Sequence, residues 1–413
     1  MKVAVVGSGI SGIAAAYYLQ GSVDEVVLFE KADRLGGHTD SHPICITGKT
    51  YNIDTGFIVF NNANYPGFSA WLALMGIASQ SSDMSFGVRN LDTGLEYGTR
   101  NVSALLAQRK NLFSRRFWRM LWDLRRFFRD AADVDLTDLT LAEFCERQKY
   151  SEAFWEDHLL PMCSALWSLP SVETNEISAS HVIRFMGNHK MLQLAGRPEW
   201  RVVKGGSNRY LEAFATQFSG KIRLSDPVVE ITKRESDLLL NSASGEHVFD
   251  KVVIACHGDE ALAILQTPST AERQILQSIA YQKNRVVLHQ DESVMPSNRR
   301  AWSSWNATIS AESNNTCQVT YWMNPLQNLP EKENVFVTLN PKQELESVLA
   351  VEEYSHPIFT YETEKTKRRW AEISGIERIY YSGAYWGWGF HEDGFSSGKR
   401  CAEQILRSSV IVR

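Results

Sequence analysis

No stretch of this 413-residue chain approaches the roughly 18 consecutive apolar residues that a membrane-spanning helix requires. A spanning segment is therefore not expected. Cysteine is sparse and scattered: the six, at 45, 145, 163, 256, 317 and 401, form no Cys-x-x-Cys pair and no metal-type cluster. They fit a reducing cytosol, where a free cysteine is usually a small core residue, and they give neither a metal centre nor a redox dithiol. Positive charge is not in excess: the net charge of −5 gives no reason to expect a nucleic-acid partner. Tandem repeats and low-complexity tracts are missing, and the apolar start lacks the basic lead-in of a signal peptide. The chain is long enough for two domains with sizeable cores. Its expected place is the cytoplasm, free or peripheral on the inner face of the membrane.

What is present starts at residue 3. Val3-Ala4-Val5-Val6 is an apolar run of buried-strand type that leads into Gly7-Ser8-Gly9-Ile10-Ser11-Gly12 and then a helical pattern through Leu19. A second apolar run, Val26 to Phe29, ends on Glu30. Strand, glycine turn, helix, strand and acid occur in the order of the dinucleotide-binding fingerprint. Gly7 permits the tight turn, Gly9 lets the backbone approach a pyrophosphate, and Gly12 allows close packing of helix on strand. The helix start, with Ser11 in its first turn, offers free N–H donors to phosphate oxygens. Glu30 stands about 20 residues on, where an acid binds a ribose hydroxyl.

The residues that follow carry a family resemblance. Glu30-Lys31-Ala32-Asp33-Arg34-Leu35-Gly36-Gly37-His38, with Thr55-Gly56-Phe57-Ile58 after it, resembles the signature of the flavin amine oxidase and phytoene desaturase superfamily. The resemblance implies FAD as cofactor and an α/β fold: a Rossmann-like FAD-binding domain of glutathione reductase type with a discontinuous α+β, amine-oxidase-like substrate domain. It implies that the Gly36-Gly37 pair passes along the ribityl chain and flavin. His38 stands where amine oxidases usually carry Arg. A second cofactor segment is expected at Gly205-Gly206 and Val228, the latter meeting the adenine through its main chain. A third is expected at the end of the chain, where Gly383 is followed by Glu392-Asp393-Gly394-Phe395 at a helix start aimed at the flavin. Residues 1–60, 200–260 and 375–413 would then form the FAD domain, and 61–199 and 261–374 the substrate domain. The motifs Gly389-Phe390-His391-Glu392-Asp393-Gly394 and Arg197-Pro198-Glu199-Trp200 resemble a bacterial branch associated with cyclopropane and furan fatty acids. That branch implies a lipid or other apolar substrate, and a lipid methyltransferase or cyclopropane synthase as partner.

Between these segments, 65–75 has a helical pattern, and 139–189 is mostly helical with breaks at Pro161 and Pro170. Its large apolar residues Trp155, Met162, Leu166 and Trp167 are large enough to line a tunnel or to fill a core, and core is the leading expectation for each. Residues 109–129 hold eight Lys or Arg against one acid, Asp123. At helical spacing Phe113, Phe117, Met120, Leu124, Phe127 and Phe128 form one stripe, while Trp118 and Trp122 fall among the arginines. The stripe is that of a core-facing helix. Tryptophan among arginines on the outer face is the pattern of an interfacial membrane helix.

A single dinucleotide fingerprint with no second one for a nicotinamide cofactor suits hydride transfer from substrate to flavin N5, with electrons passing on to oxygen or another acceptor. The leading expectation is desaturation or dehydrogenation of a fatty acyl chain. An amine oxidase and a flavin-bound accessory protein of a lipid-modifying enzyme are the alternatives. Tyr385 and Trp386 are expected at the flavin face. Lys283 lies in the region where amine oxidases carry a lysine.

Overall fold

The computed structural model describes residues 1–131, 134, 136, 139–167, 177–193, 195–310, 317–330 and 332–410. The opening strand Lys2–Val6 is buried along four of its five residues, as an unbroken valine-rich run in a parallel sheet requires. It lies at the centre of a five-stranded sheet in the order Lys221–Arg223, Glu25–Phe29, Lys2–Val6, Lys251–Ile254, Ile379–Tyr381. Every adjacent pair is parallel. The helix Ile10–Leu19 follows the first strand and packs on the closing helix His391–Val410. Gly398 sets that closeness, since a β-carbon on it would collide with the Ser11 carbonyl; Gly12 instead lets the helix fold back against its own turn, where a β-carbon would collide with the Gly7 carbonyl.

A seven-stranded sheet covers the other half of the molecule. Its order is Val348–Pro357, Tyr281–His289, Phe336–Leu339, Gln318–Trp322, Trp305–Ile309, Phe86–Asn90, Leu95–Gly98. All pairs are antiparallel except Trp305–Ile309 with Phe86–Asn90. The helix Arg115–Asp130 inserts Phe117 and Met120 into the core of this sheet beside Val88, Tyr97 and Val319. Among the described residues no helix is long and apolar enough to cross a membrane.

Two sequence expectations change here, at Phe113 and at Pro161. Phe113 does not join the phenylalanine stripe. The Ser114 side chain accepts from the Phe117 N–H and starts the helix at Arg115, so Phe113 falls in the preceding 3₁₀ turn, 90% exposed. Asp123, the one acid of the basic segment, is fully buried and accepts from Arg126, Arg119 and the Ser151 N–H. Pro161 does not break its helix: residues 152–167 run on through a π-turn, Trp155–Leu159. In an α-helix the N–H of residue 161 would serve the carbonyl of residue 157, and proline has none. The Tyr97 hydroxyl takes that carbonyl instead at 2.8 Å, and lies 2.9 Å from His158 Nδ1. Pro170 lies outside the described residues.

Tyr97 is 1% exposed, so Tyr97→Phe would leave a buried carbonyl without a donor. It is expected to lower stability by about 1–3 kcal/mol, read as a shift in the urea midpoint at unchanged slope. No shift would mean that the Asp157 carbonyl finds another donor.

Candidate functional site

One cavity of about 1730 Å³ runs between the two sheets. A drug-sized ligand needs roughly 300–1,000 Å³, so there is room for a large cofactor and a substrate together. One end is built from the glycine turns. Gly7, at φ +101°, bends the chain so that its N–H reaches the Phe29 carbonyl at 2.8 Å. Gly9 caps the helix with no side-chain hydrogen bond, and no acid occupies the first helical turn. The N–H groups of that turn lack intrahelical acceptors and face the cavity with positive partial charge. A β-carbon built on Gly9 meets no protein atom within 4 Å. Its φ of −62° would suit any residue. The protein alone thus gives no reason for glycine at position 9; a phosphate pressed against the backbone does.

Glu30 is 7% exposed at this end. One carboxylate oxygen accepts from the Ser8 N–H and hydroxyl at 2.8 and 2.6 Å, the other from the Ala32 N–H at 2.9 Å. A carboxylate has about four lone-pair positions, so one is left for a ribose hydroxyl. Gly36 bridges to Gly9, and its N–H reaches the Ser8 carbonyl. Gly37, His38, Gly56, Phe57, Ile58 and Val228 also line the cavity, as do Gly7, Ser11 and Gly383. Lys31 lines it too, with its ammonium held 2.5 Å from Glu260.

His38 sits at the middle. Its Nε2 donates to the Ser355 carbonyl at 3.0 Å, and its ring lies 5.3 Å from His356 and 5.6 Å from His257. Burial, then the proximity of His356 and His257, holds the His38 imidazole well below the usual pKa. Burial takes His356 to about 4. These imidazoles are therefore polar but carry no charge at neutral pH.

The far end is apolar. Leu121, Leu124, Phe127 and Phe128 come from the helix Arg115–Asp130; Met162, Leu166 and Trp167 from residues 152–167; Phe185 and Met186 from the helix Ala179–Asn188. Trp388 and Phe390 close it from the C-terminal segment. None of the described lining residues from these elements is a carboxylate. His158 and His189 are its titratable imidazoles, both taken to about 4 by burial. His189 Nδ1 faces the Phe185 carbonyl at 3.0 Å and must be the donor, so Nε2 is the unprotonated nitrogen.

Several expected site residues lie elsewhere. Lys283 is 73% exposed and pairs with Glu353, its diagonal neighbour across the strands. Glu392 accepts from the Gly67 and Phe68 N–H groups, because the helix Pro66–Leu74 starts without a capping side chain of its own. Asp393 accepts from the Phe390 N–H and is pushed up to about 6 by burial. Gly394 packs against Ile10 and Ala384, and Phe395 is core. Trp386 packs between the two cores that flank the parallel sheet, whereas Tyr385 does line the cavity, its hydroxyl buried. Thr55 lies behind the lining and bonds Tyr354 at 2.8 Å. Gly12 serves helix packing. The C-terminal contribution is thus the loop 383–391 rather than the helix turn after it. Met162, Leu166 and Trp167, for which core is the leading expectation and a tunnel wall the alternative, line the cavity.

The residues that sequence reading missed are mostly those without a motif. Arg34 lines the cavity and pairs with Asp40 at 2.5 Å; its place in the Glu30–His38 signature was the available signal. His356, Tyr281 and His189 carry no local signal at all. Asp40, His42 and Glu352 bring one ligand atom each within 4.8 Å of the others. Asp40 already accepts from Arg34 and the Tyr354 hydroxyl, which marks an ion-pair network.

A family model described as flavin containing amine oxidoreductase matches residues 10–325. Among solved structures, cyclohexylamine oxidase from Brevibacterium oxydans IH-35A is similar with a TM-score of 0.72, 16% identity and coverage of 99% of both chains. A putrescine oxidase bound to putrescine gives 0.70 at 14% identity, covering 98% of this chain and 99% of that one. The CLA-producing fatty acid isomerase from P. acnes gives 0.67 at 13%, covering 97% and 98%. These likenesses establish a shared fold.

Gly9→Val tests the cofactor end. The branched side chain has space in the protein but fills the position opened for a pyrophosphate. We expect a folded protein, judged by circular dichroism, that purifies without yellow colour. Full FAD content in a folded Gly9→Val variant would contradict the assignment.

Proposed function

The chain belongs to the family of flavin containing amine oxidoreductases, and on that premise we propose that this FAD-dependent oxidoreductase dehydrogenates or desaturates a fatty acyl chain. The observation that carries the reading is the apolar end of the cavity, long-chain in lining and without a carboxylate among its described residues. An alkylammonium entering it would lose its hydration with no anion in return; an alkyl chain gains by leaving water. A fatty acid isomerase sharing the fold supports the same reading. The resemblance of 389–394 and 197–200 to the cyclopropane-associated branch narrows the chain to a methyl-branched or cyclopropane-bearing one, with a lipid methyltransferase or cyclopropane synthase acting before this enzyme.

FAD supplies a two-electron acceptor for a hydride. The residues of the chain do the rest. Gly9, Ser11, Glu30, Gly36 and Gly37 hold the nucleotide end. The uncharged imidazoles of His38, His257 and His356 place no fixed cation at the centre of the cavity. Leu124, Met162, Phe185 and Phe390 exclude water and align the chain. Desaturation also releases a proton, and the unprotonated Nε2 of His189 is the acceptor this arrangement supplies.

A second reading rests on Trp167, Phe185, Trp388 and Phe390. Aromatic faces attract an ammonium, and both cyclohexylamine oxidase and putrescine oxidase share the fold.

Anaerobic mixing separates the two. Acyl chains, free or in phospholipid, should bleach the flavin, and a panel of amines should not. His189→Gln should keep its FAD and slow bleaching roughly 10²-fold or more. Bleaching by amines alone would replace the first reading by the second.

A further inference from the structure

The helix Arg115–Asp130 has three faces with different surroundings. Phe117, Met120 and Phe127 are buried, and Leu121, Leu124 and Phe128 line the apolar end of the cavity. The third face carries Arg115, Trp118, Trp122, Arg125 and Arg129 at spacings of three and four residues, all exposed. Trp118 is 51% and Trp122 59% exposed. The Trp118 indole donates to the Leu112 carbonyl at 2.8 Å, which joins the helix to the turn bearing Phe113. Val102, 72% exposed, stands at the rim of the cavity.

Charge on this face is not as large as the count of eight cations suggests. Arg116, Arg119, Arg126 and Arg129 are paired with Asp157 and Glu156, Asp123, Asp123 and Asp130 respectively. Arg109, Lys110, Arg115 and Arg125 make no ion pair among the described residues and are exposed. Arg125 also lines the cavity.

We propose that this face, with Phe113, Trp118 and Trp122 as anchors and Arg109, Lys110, Arg115 and Arg125 around them, docks on an anionic phospholipid bilayer and opens the apolar cavity toward it. Two observations single out a bilayer. Exposed indoles interleaved with unpaired cations match the headgroup boundary, apolar below and anionic above. The patch is also continuous with the cavity wall through Leu121, Leu124 and Arg125, so a chain leaving the bilayer passes along one helix without crossing water. The inference rests on the acyl-chain reading for its purpose and on surface chemistry for its occurrence.

The test uses the FAD-loaded full chain and sedimentation with vesicles of phosphatidylcholine alone or mixed with phosphatidylglycerol. Binding should rise with phosphatidylglycerol, weaken with salt, and blue-shift tryptophan emission. Attraction from exposed charges is screened within about 10 Å at 0.1 M salt. The triple variant Phe113→Ser, Trp118→Ser, Trp122→Ser should bind at least tenfold more weakly while keeping its FAD and its flavin reduction by a short, water-soluble acyl substrate. Equal binding by the triple variant, no binding to anionic vesicles at low salt, or self-association through this face without vesicle binding would each overturn the proposal. Vesicle binding with no reduction by any acyl substrate would leave the docking standing and remove the acyl-chain reading.

Discussion

Gly9 and Gly36 pair as neighbouring strand residues do, and Gly37 lies so close that a β-carbon on it would stand 3.2 Å from the Gly9 α-carbon. This backbone-to-backbone contact brings the first glycine turn and the second glycine pair to the edge of one cavity. It holds the Ser8 N–H and hydroxyl against Glu30, and it fixes where the chain turns toward His38. The parallel sheet behind it draws its strands from three distant parts of the chain. The last of these carries the loop 383–391 to the same cavity.

Beyond that contact the molecule changes character. The glycine-lined end is made of backbone N–H groups, a carboxylate and ion pairs; the far end is made mostly of leucine, methionine and aromatic side chains, with Arg125 among them. The helix Arg115–Asp130 belongs to both the core and the cavity, and its remaining face meets solvent. Its register is fixed by Ser114 at one end and by buried Asp123 in the middle, which binds Arg126, Arg119 and the Ser151 N–H. Moving the helix start by one residue would rotate Leu121, Leu124 and Phe128 away from the cavity.

The glycine-lined end was legible in the sequence because its elements are local: a turn, a helix start and an acid at fixed spacing. The far end was less so, since Met162, Leu166 and Leu124 look the same in a core as in a cavity wall. Periodicity reports which face is apolar, not what covers it. Lys283 failed as a site residue because cross-strand neighbours decide its partner, and Glu353 arrives from 70 residues away. Glu392 failed for a similar reason: the uncapped helix that needs it begins at Pro66. His189 had no motif, and its role depends on a carbonyl one turn back and on aromatic neighbours from the end of the chain.

The central claim is that one cavity holds FAD at its glycine-lined end and an alkyl chain at its apolar end. A crystal structure of the FAD-loaded protein soaked with a long-chain fatty acid tests this most directly. The account predicts the nucleotide along Gly9, Glu30 and Gly37, with continuous chain density between Leu124, Met162 and Phe185. Water-filled density there, with the fatty acid bound elsewhere or not at all, would contradict it.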